Sequence, residues 1–561
     1  MANLKRHSKR LLIPLWFAIL FFVIIIVKLG YVQLVKHNDY SRQANSQRQR
    51  DERLLAKRGN IFDANGEKLA VTIEKETVFA TPYLIKNPTL TAQKLATILK
   101  MPSAAIHSKL TKPKGFVFLK RKVGKATADK VRKLKIEGLG LYKENERYYP
   151  SGRLASQLVG IVGLDNEGLS GLEMKYDKFL KGRYGRLKDE RDAFGQTIPG
   201  TKGLYLKPKD GNSLVLTLNR DIQYKAQLEL KNAIKEWEAA SGSVVVLNPQ
   251  NGEILAMTSV PDFDLNKFSK AGKESQKNQP VVSVYEPGST LKIIAATAAV
   301  EEKIYTRESS FYLPPTLNVA GKNIGEAHRH EAVNYTLAQI ISESSNVGIS
   351  KVGLAVGKQR LYKYFKSFGL LENTGIDYPG EVSGFVPKPK HWYGPTIATV
   401  AFGQGIAVSP LQLARAYSVV ANGGWLYRPY IVKKIVSSSK KTVKTTRPER
   451  LRRVMSQKAA FEGTLMLEKV VSDGTGAAAA VKGYAVAGKT GTAQKANVGV
   501  KGYGKSYISS FIGFAPAENA KVLVLVVVDS PKKAIYGSQV AAPAFKNIME
   551  FALHELKIPP Q

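Results

Sequence analysis

An uncharged, apolar run close to the N-terminus is the strongest constraint on how this chain can fold. The run covers residues 11–27, and its apolar character continues to residue 34. At about 1.5 Å per residue, a helix of this length crosses a hydrocarbon layer of about 30 Å. A helix is the form that a single spanning segment takes, because it bonds its own backbone groups. We therefore predict a transmembrane anchor over residues 11–34.

The charges around this anchor predict its orientation. The positive-inside rule keeps the basic residues 1–10 in the cytoplasm and places everything after residue 34 on the other side of the membrane. A cleaved signal peptide is the alternative, but no Ala-x-Ala-like site follows the run, and the run is long for a signal sequence. We therefore favour a single-pass protein. The basic residues ahead of the run are Lys5, Arg6, Lys9 and Arg10.

The net charge is the most unusual property of the composition. Lysine and arginine total 84 against 45 acidic residues, which gives +39. Such a chain suits nucleic acid, anionic lipid or an acidic polymer, and a lysine-rich solvated surface is the plain alternative. Because the body is predicted to lie outside the cytoplasm, we expect no nucleic-acid partner and hypothesise attraction to anionic wall polymer or lipid headgroups. The absence of cysteine excludes disulfides and thiolate metal sites.

The pattern of elements predicts an α+β protein with several domains. Residues 35–209 mix short strands and helices without a nucleophile-and-base pattern, which indicates a supporting, non-catalytic pedestal. Residues 210–557 begin and end with strand ladders and have helical segments between them, which predicts an antiparallel sheet flanked by helices. A basic surface hairpin is expected over residues 431–454. The predicted strands are 243–247, 254–257, 507–514 and 522–528, and the predicted helices are 221–237 and 542–556.

Three short motifs follow one another in the second half of the chain. Ser-x-x-Lys is weak by itself, because the same spacing begins at Ser437, Ser438 and Ser530. Ser-x-Asn and Lys-Thr-Gly each occur once downstream, and the ordered set is a signature of enzymes that acylate a serine. The motifs are Ser289-Thr290-Leu291-Lys292, Ser344-Ser345-Asn346 and Lys489-Thr490-Gly491-Thr492.

The first motif can supply a nucleophile and its base. Pro287-Gly288 precedes Ser289, and apolar helix formers follow, so Ser289 is predicted at a helix N-terminus that favours negative charge. Lys292 lies one turn further on the same face. A serine hydroxyl needs a neighbour to take its proton, and a lysine with a lowered pKa can do so. In isolation, the motif would be read as a serine N-cap with a surface lysine.

The other two motifs can supply substrate contacts. The Ser344 hydroxyl can relay a proton to a leaving amine, and the Asn346 amide can bind a peptide carbonyl. Lys489 adds positive potential beside a strand predicted at 484–486. Gly491 lets a substrate backbone approach. The Thr490 and Thr492 hydroxyls can hold a carboxylate, and the backbone N–H groups of Thr492 and Ser289 can form an oxyanion hole.

Two further patterns have a simpler interpretation. Residues 483–490 match the phosphate-binding P-loop letter for letter, yet a P-loop needs a helix that opens at its Lys-Thr pair. Glycines follow instead, so we expect no ATP site. His328 and His330 form His-x-His without a third ligand, so we expect ordinary loop histidines and no metal.

With these motifs, the chain resembles a class B penicillin-binding protein of the division-specific FtsI type over nearly its full length. It lacks the glycosyltransferase module of class A. The resemblance includes Arg58-Gly59-Asn60-Ile61-Phe62-Asp63 and Gly171-Leu172-Glu173 in the pedestal. Beyond the pedestal it includes Tyr285-Glu286-Pro287-Gly288-Ser289, Ser344-Ser345-Asn346-Val347-Gly348, Gly403-Gln404-Gly405, Ser409-Pro410-Leu411-Gln412 and Lys489-Thr490-Gly491-Thr492-Ala493.

The resemblance implies a peptidoglycan D,D-transpeptidase of the bacterial inner membrane, with a β-lactamase-like catalytic domain outside. It would cross-link D-Ala-D-Ala stem peptides at the septum, be a target of β-lactams and use no cofactor. Expected partners are an FtsW-type glycosyltransferase and other divisome proteins. The implied catalytic residues are Ser289, Lys292, Ser344, Asn346 and Lys489, and the implied substrate-binding residues are Ser345, Thr490, Gly491 and Thr492.

Several alternatives share these motifs. An elongation-specific transpeptidase is the nearest alternative in biological role, and a D,D-carboxypeptidase would use water as the acceptor. A β-lactamase or a β-lactam-binding sensor would carry the same serine and lysine, although no deacylating glutamate can be assigned. A divisome scaffold with an inactive site is the non-enzyme alternative. It predicts that a Ser289→Ala protein supports division as well as the wild type.

Overall fold

The computed structural model describes residues 2–190, 204–327, 330–496 and 502–560. Contacts group the chain into two compact units, one of residues 1–56 with 182–210 and one of residues 57–181 with 211–561. The predicted domain boundaries at residues 34/35 and 209/210 stay predictions.

The first unit contains a long apolar helix and a small sheet. Ile13–Val35 is long and apolar enough to cross a membrane, and its large apolar side chains are exposed. This confirms the predicted helix as a candidate single-pass anchor. Its orientation stays a prediction. The helical segments are Ala2–Gly30, Tyr31–Val35 and His37–Arg48, and the antiparallel strands of the described sheet are, in order, Gln49–Leu54, Gly185–Glu190 and Leu204–Leu206.

The second unit begins with a layer of helices on one face of a sheet. Val78, Ala80 and Leu119 are buried against these helices and form a separate apolar core with them. The helices are amphipathic because their apolar residues recur at helical spacing. The helices are Pro88–Leu99, Ser103–Leu110 and Lys125–Lys133, and the strands are Lys68–Ala80, Val117–Val123 and Leu139–Tyr148.

The same sheet extends into the second half of the chain. Within the described residues it has seven strands, and Ile61–Phe62 pairs in parallel with Ser213–Leu216. The predicted basic hairpin exists as Val432–Val436 with Thr442–Thr445, but its first strand also pairs with Ser213–Leu216. The predicted hairpin is therefore the exposed edge of this sheet. Arg450–Arg453 pairs elsewhere, with the strand Trp425–Tyr427.

A second, antiparallel sheet organises the rest of the unit. Along Val522–Asp529, even-numbered valines pack against one apolar core and odd-numbered residues against another, as the period of two requires. Arg220–Glu236 and Ala542–Glu555 contribute to the first core, and Lys292–Glu301 to the second. The predicted sheet flanked by helices is confirmed. Its described strands are, in order, Ile254–Val260, Ser241–Leu247, Val522–Asp529, Tyr503–Ala515 and Ala487–Ala496.

Shorter elements complete the described structure. The α-helices are Ser156–Val159, Gly171–Lys175, Asp177–Leu180, Gln279–Val282, Leu337–Ser342, Asn346–Val356, Lys358–Ser367, Thr396–Ala401, Pro410–Ala421, Gln457–Ser472 and Gly537–Val540. The 3₁₀ turns are Pro82–Leu84, Leu265–Lys270, Glu274–Gln276, Gly288–Leu291, Pro389–His391 and Ala477–Ala479. Ser310–Leu313 pairs with Val333–Thr336, and Thr316–Val319 forms a hairpin with Lys322–Gly325.

A buried ion cluster joins the two pedestal motifs. Arg58 Nε donates to Glu173 Oε2 at 2.6 Å, and Arg147 Nε donates to Glu173 Oε1 at 2.6 Å. Arg58 also donates to Asp177 Oδ1 at 2.6 Å and to the backbone oxygen of Asn166 at 3.1 Å. The Arg58 and Glu173 side chains are fully buried. Removal of either Arg58 or Glu173 would therefore leave the other as a buried charge without its partner.

Candidate active site

Ser289 lies on a short 3₁₀ turn, Gly288–Leu291, immediately before the helix Lys292–Glu301. Gly288 has a φ of +55°, and its N–H donates to the oxygen of Gly403 at 3.1 Å. A side chain on Gly403 would lie 2.2 Å from the oxygen of Gly288. Both glycines are therefore needed for the close contact that shapes the turn.

Lys292 joins the first motif to the second. Its amine is buried and donates to Asn346 Oδ1 at 2.7 Å and to Ser344 Oγ at 3.3 Å. Burial lowers the pKa of Lys292 to about 7, while the negative charge of Glu326 opposes this shift. A substantial fraction of the amine is thus neutral, and able to accept a proton, at neutral pH.

The second motif is a strained turn between two helices. The helix Leu337–Ser342 ends just before it. Ser344 has a φ of +59°, an uncommon conformation for a residue with a side chain. Asn346 begins the helix Asn346–Val356, and the Ser345 hydroxyl caps that helix by accepting from Gly348 N at 2.8 Å. The Ser345 hydroxyl is therefore engaged within the protein.

The third motif lies on the edge strand Ala487–Ala496 of the second sheet. The strand predicted over 484–486 is wrong: Val481 and Tyr484 form an isolated bridge, and the strand begins at Ala487. Lys489 is buried, and its amine donates to Thr490 Oγ1 at 3.2 Å. Burial lowers the pKa of Lys489 well below its usual value, and the nearby charge of Lys292 lowers it further.

The strand geometry excludes a P-loop at this segment. Lys489 is paired with Ile512 and Thr490 with Phe511 in an antiparallel ladder. A P-loop would require a helix to open at these two residues, so that its N–H groups point at phosphate. The segment therefore lacks the helix on which a P-loop depends.

Gly491 has a different structural role from the predicted one. A side chain at this position would lie 2.3 Å from Ser510 Oγ and 2.9 Å from Thr290 Cγ2. The space beside Gly491 is therefore filled by the turn that carries Ser289, and not left open for a substrate backbone. The glycine allows the strand and the turn that carries Ser289 to pack closely.

The three motifs surround one cavity of about 490 Å³. Of the predicted site residues, Ser289, Ser344, Ser345, Asn346, Thr490 and Thr492 line it. Lys292 and Lys489 are fully buried beside it, and Gly491 does not line it. Lining residues that the motifs did not indicate include Glu326, His330, Glu343, Thr475, Gln494 and Tyr536.

Two of these additional residues contact the motifs directly. The hydroxyls of Thr475 and Thr490 are 3.1 Å apart. Glu326 accepts from the backbone N–H of Asn346 at 2.5 Å. No local pattern marks either residue, because both reach the site through contacts that are distant in sequence. His330 lines the cavity, whereas His328 lies outside the described residues. In the described part of the chain, no group of His, Asp and Glu side chains is arranged to hold a metal ion.

Comparison with known proteins identifies the family. The model of the penicillin-binding protein transpeptidase domain matches residues 242–550, and that of the penicillin-binding protein dimerisation domain matches residues 53–216. The chain is 39% identical to Stage V sporulation protein D of Bacillus subtilis, over 99% of this chain and 86% of that protein. It is 32% identical to peptidoglycan D,D-transpeptidase FtsI of Escherichia coli K12, over 95% of this chain and 89% of that protein.

Solved structures agree with these matches. Penicillin-binding protein 3 of Mycobacterium tuberculosis, complexed with aztreonam, is 30% identical and has a TM-score of 0.72 over 91% of this chain and 98% of that chain. The chain therefore belongs to the class B penicillin-binding proteins. It is an enzyme of the peptidoglycan D,D-transpeptidase family.

Proposed function

We propose that this enzyme cross-links peptidoglycan stem peptides through an acyl-enzyme on Ser289. The Ser289 oxygen attacks the carbonyl of the penultimate D-Ala, and the bond to the terminal D-Ala breaks. The serine proton passes to Lys292 and then to the leaving amine. An amine of a neighbouring stem next attacks the ester carbonyl, which forms the cross-link and returns the serine.

The observation that carries this proposal is the position of the Lys292 amine. It lies within hydrogen-bond distance of Ser344 and Asn346, one turn of chain from Ser289, beside the cavity. A buried lysine whose pKa is lowered to about 7 is suited to general-base catalysis at neutral pH. Burial supplies this shift, so the base needs no carboxylate or histidine as its activator.

We propose roles for the remaining residues from the chemistry of the motifs. We propose that Ser344 relays the proton and that the Nδ2 hydrogen of Asn346 that is not bonded to Gly325 binds the substrate carbonyl. Lys489 adds positive potential, and the Thr490 and Thr492 hydroxyls hold the substrate carboxylate. The N–H groups of Ser289 and Thr492 form the oxyanion hole. The family resemblance implies that Ser345 and Gly491 bind substrate, whereas we propose that Ser345 caps a helix and that Gly491 permits close packing.

We propose a septal role at the bacterial inner membrane. In this arrangement residues 1–10 are cytoplasmic, residues 11–34 form the anchor, residues 35–209 form the pedestal and residues 210–557 form the periplasmic transpeptidase domain. The anchor and pedestal would contact an FtsW-type glycosyltransferase and other divisome proteins. The similarity to the FtsI proteins supports this proposal.

A second candidate role is wall synthesis during sporulation. It is favoured by the 39% identity to Stage V sporulation protein D over nearly the whole chain. Depletion of the protein in growing cells separates the two roles. Filaments without septa would support the division role, whereas normal growth with defective spores would support the sporulation role.

Labelling with a fluorescent penicillin tests the proposed acyl-enzyme. We expect stable covalent label on the wild-type protein and none on Ser289→Ala, because the variant lacks the nucleophile. Ser438→Ala is a matched control, since Ser438 begins another Ser-x-x-Lys sequence and is exposed. Its labelling should equal that of the wild type.

Other outcomes of this experiment would distinguish the proposed transpeptidase from the alternative enzymes. A label that appears and then decays within minutes would indicate a β-lactamase. Stable label on Ser289→Ala would refute Ser289 as the nucleophile. Release of D-Ala from a pentapeptide without cross-linking, when an acceptor stem is supplied, would favour a D,D-carboxypeptidase.

The rate of acylation should depend on pH through Lys292. Its lowered pKa of about 7 means that the amine is mostly protonated, and inactive as a base, below that pH. We expect the rate to fall about tenfold per pH unit on the acid side and to level off on the alkaline side. Acylation rates measured over a pH series with a chromogenic cephalosporin test this. A flat profile across neutrality would contradict the assignment of Lys292 as base.

A further inference from the structure

A buried carboxylate outside the three motifs contacts the second motif. Glu326 directly follows the strand Lys322–Gly325, and its side chain is 4% exposed. It accepts from the backbone N–H of Asn346 at 2.5 Å and from that of Val347 at 3.2 Å. The Ser345 hydroxyl donates to the same carboxylate. One side chain thus holds three consecutive residues of the turn.

The residue before Glu326 fixes the Asn346 side chain. Asn346 Nδ2 donates to the oxygen of Gly325 at 3.2 Å, which leaves Asn346 Oδ1 to accept from Lys292 Nζ at 2.7 Å. Residues 325 and 326 therefore hold Asn346 by its backbone and its side chain together. This contact selects the orientation of the amide in which its oxygen faces the base.

The turn needs such support because its geometry is costly. Ser344 has a φ of +59°, and a conformation of this kind persists where surrounding contacts impose it. Ser345 and Glu326 share the helix start, because the Ser345 hydroxyl accepts from the N–H of Gly348 and the carboxylate accepts from those of Asn346 and Val347. The carboxylate is an additional contact, directed at the part of the turn next to the base.

We propose that Glu326 is a positioning residue for acyl transfer: it holds the turn of Ser344 and Asn346 in the form that receives the Lys292 amine. This inference rests on the proposed function of the site. Glu326 lies outside the three motifs and would act by holding the second of them in place. The hairpin that precedes Glu326 would then be part of the catalytic framework.

The charges around Lys292 give the proposal a distinct signature. Glu326 raises the pKa of Lys292 against the effect of burial. Lys489 is the charged neighbour on the sheet side, and the negative charge of Glu343 raises the pKa of Lys489. His330 Nε2 lies 3.6 Å from Glu326 Oε1. Loss of the Glu326 charge should therefore move the pKa of Lys292 further down, and with it the acid limb of the acylation profile.

The test compares Glu326→Gln, Glu326→Asp and the control Glu331→Gln, all in the full chain. The control removes the same charge from an exposed position on the same segment. Penicillin acylation rates are measured over a pH series, beside thermal unfolding. For Glu326→Gln we expect a plateau rate lower by about 10- to 100-fold, as misplacement of reacting groups produces, and an inflection at lower pH. Glu326→Asp should keep the wild-type inflection with a partly reduced plateau, and Glu331→Gln should match the wild type.

Several results would overturn the inference. A folded Glu326→Gln protein with the wild-type plateau and inflection would do so. The plateau rate of Glu326→Gln could also fall only in proportion to the folded fraction, with the inflection of the pH profile unmoved. That result would show that Glu326 is only a structural cap of the helix. If Glu326→Gln does not fold, the Glu326→Asp variant tests the inference. A wild-type plateau rate in that variant would contradict a positioning role for Glu326. Failure of the wild type to acylate on Ser289 would instead refute the proposed function itself.

Discussion

Replacing Lys292 with methionine should lower the rate of Ser289 acylation by about a thousandfold, within the usual range for loss of a general base. Methionine keeps most of the volume of the buried side chain but cannot accept a proton. The rate can be followed by mass spectrometry of the acyl-enzyme, with Lys458→Met as a control. Lys458 is an exposed lysine near the start of the helix Gln457–Ser472, so its replacement should leave the rate unchanged.

The pH profile makes this prediction more specific. The residual rate of Lys292→Met should lose the inflection near neutral pH, because the titrating amine is gone. A variant that keeps an acylation rate within tenfold of the wild type would show that another group takes the serine proton. Lys489 would then be the next candidate, since its pKa is also lowered by burial.

Replacing Glu173 with alanine should lower the free energy of unfolding by about 3–5 kcal/mol, the usual cost of breaking a buried ion pair. The variant leaves Arg58 and Arg147 without their shared carboxylate in a region from which water is excluded. Urea unfolding followed by intrinsic fluorescence measures the change. The effect should appear although Glu173 lies in the part of the chain that matches the dimerisation domain, outside the match to the transpeptidase domain.

An exposed ion pair on the same part of the chain provides the control. Lys86 and Glu137 are 3.4 Å apart, with side chains 89% and 64% exposed. Glu137→Ala should change stability by less than about 1 kcal/mol, because water already screens this pair. Equal losses for Glu173→Ala and Glu137→Ala would contradict the view that the Arg58 cluster stabilises the pedestal.

The ordered motifs and the apolar strands were predictable because both are local signals. The uninterrupted apolar run at 522–528 is typical of a strand that is buried on both faces, and the strand Val522–Asp529 has a core on each side. The convergence of the motifs on one cavity followed from their resemblance to a known set. Their local chemistry also indicated that Lys292 would act next to Ser289.

Other features depend on contacts that no local pattern encodes. Residues 484–486 are apolar because Tyr484 and Val486 pack into the core around the last helix, and not because they form a strand. Glu326 reaches Asn346 from a separate hairpin, so its spacing carries no signal. Gly491 is small because Thr290 and Ser510 approach it, which only the folded chain reveals.

The parallel pairing of Ile61–Phe62 with Ser213–Leu216 has a consequence for anyone who wishes to isolate the catalytic half. A fragment that begins at residue 210 keeps the second strand but loses the first. The exposed strand edge would then be a template for pairing with other chains and thus for aggregation. Such a fragment would also lose Asp63, which accepts from the first N–H of the helix Arg220–Glu236 at 3.0 Å. A fragment for inhibitor screening should therefore begin ahead of Ile61.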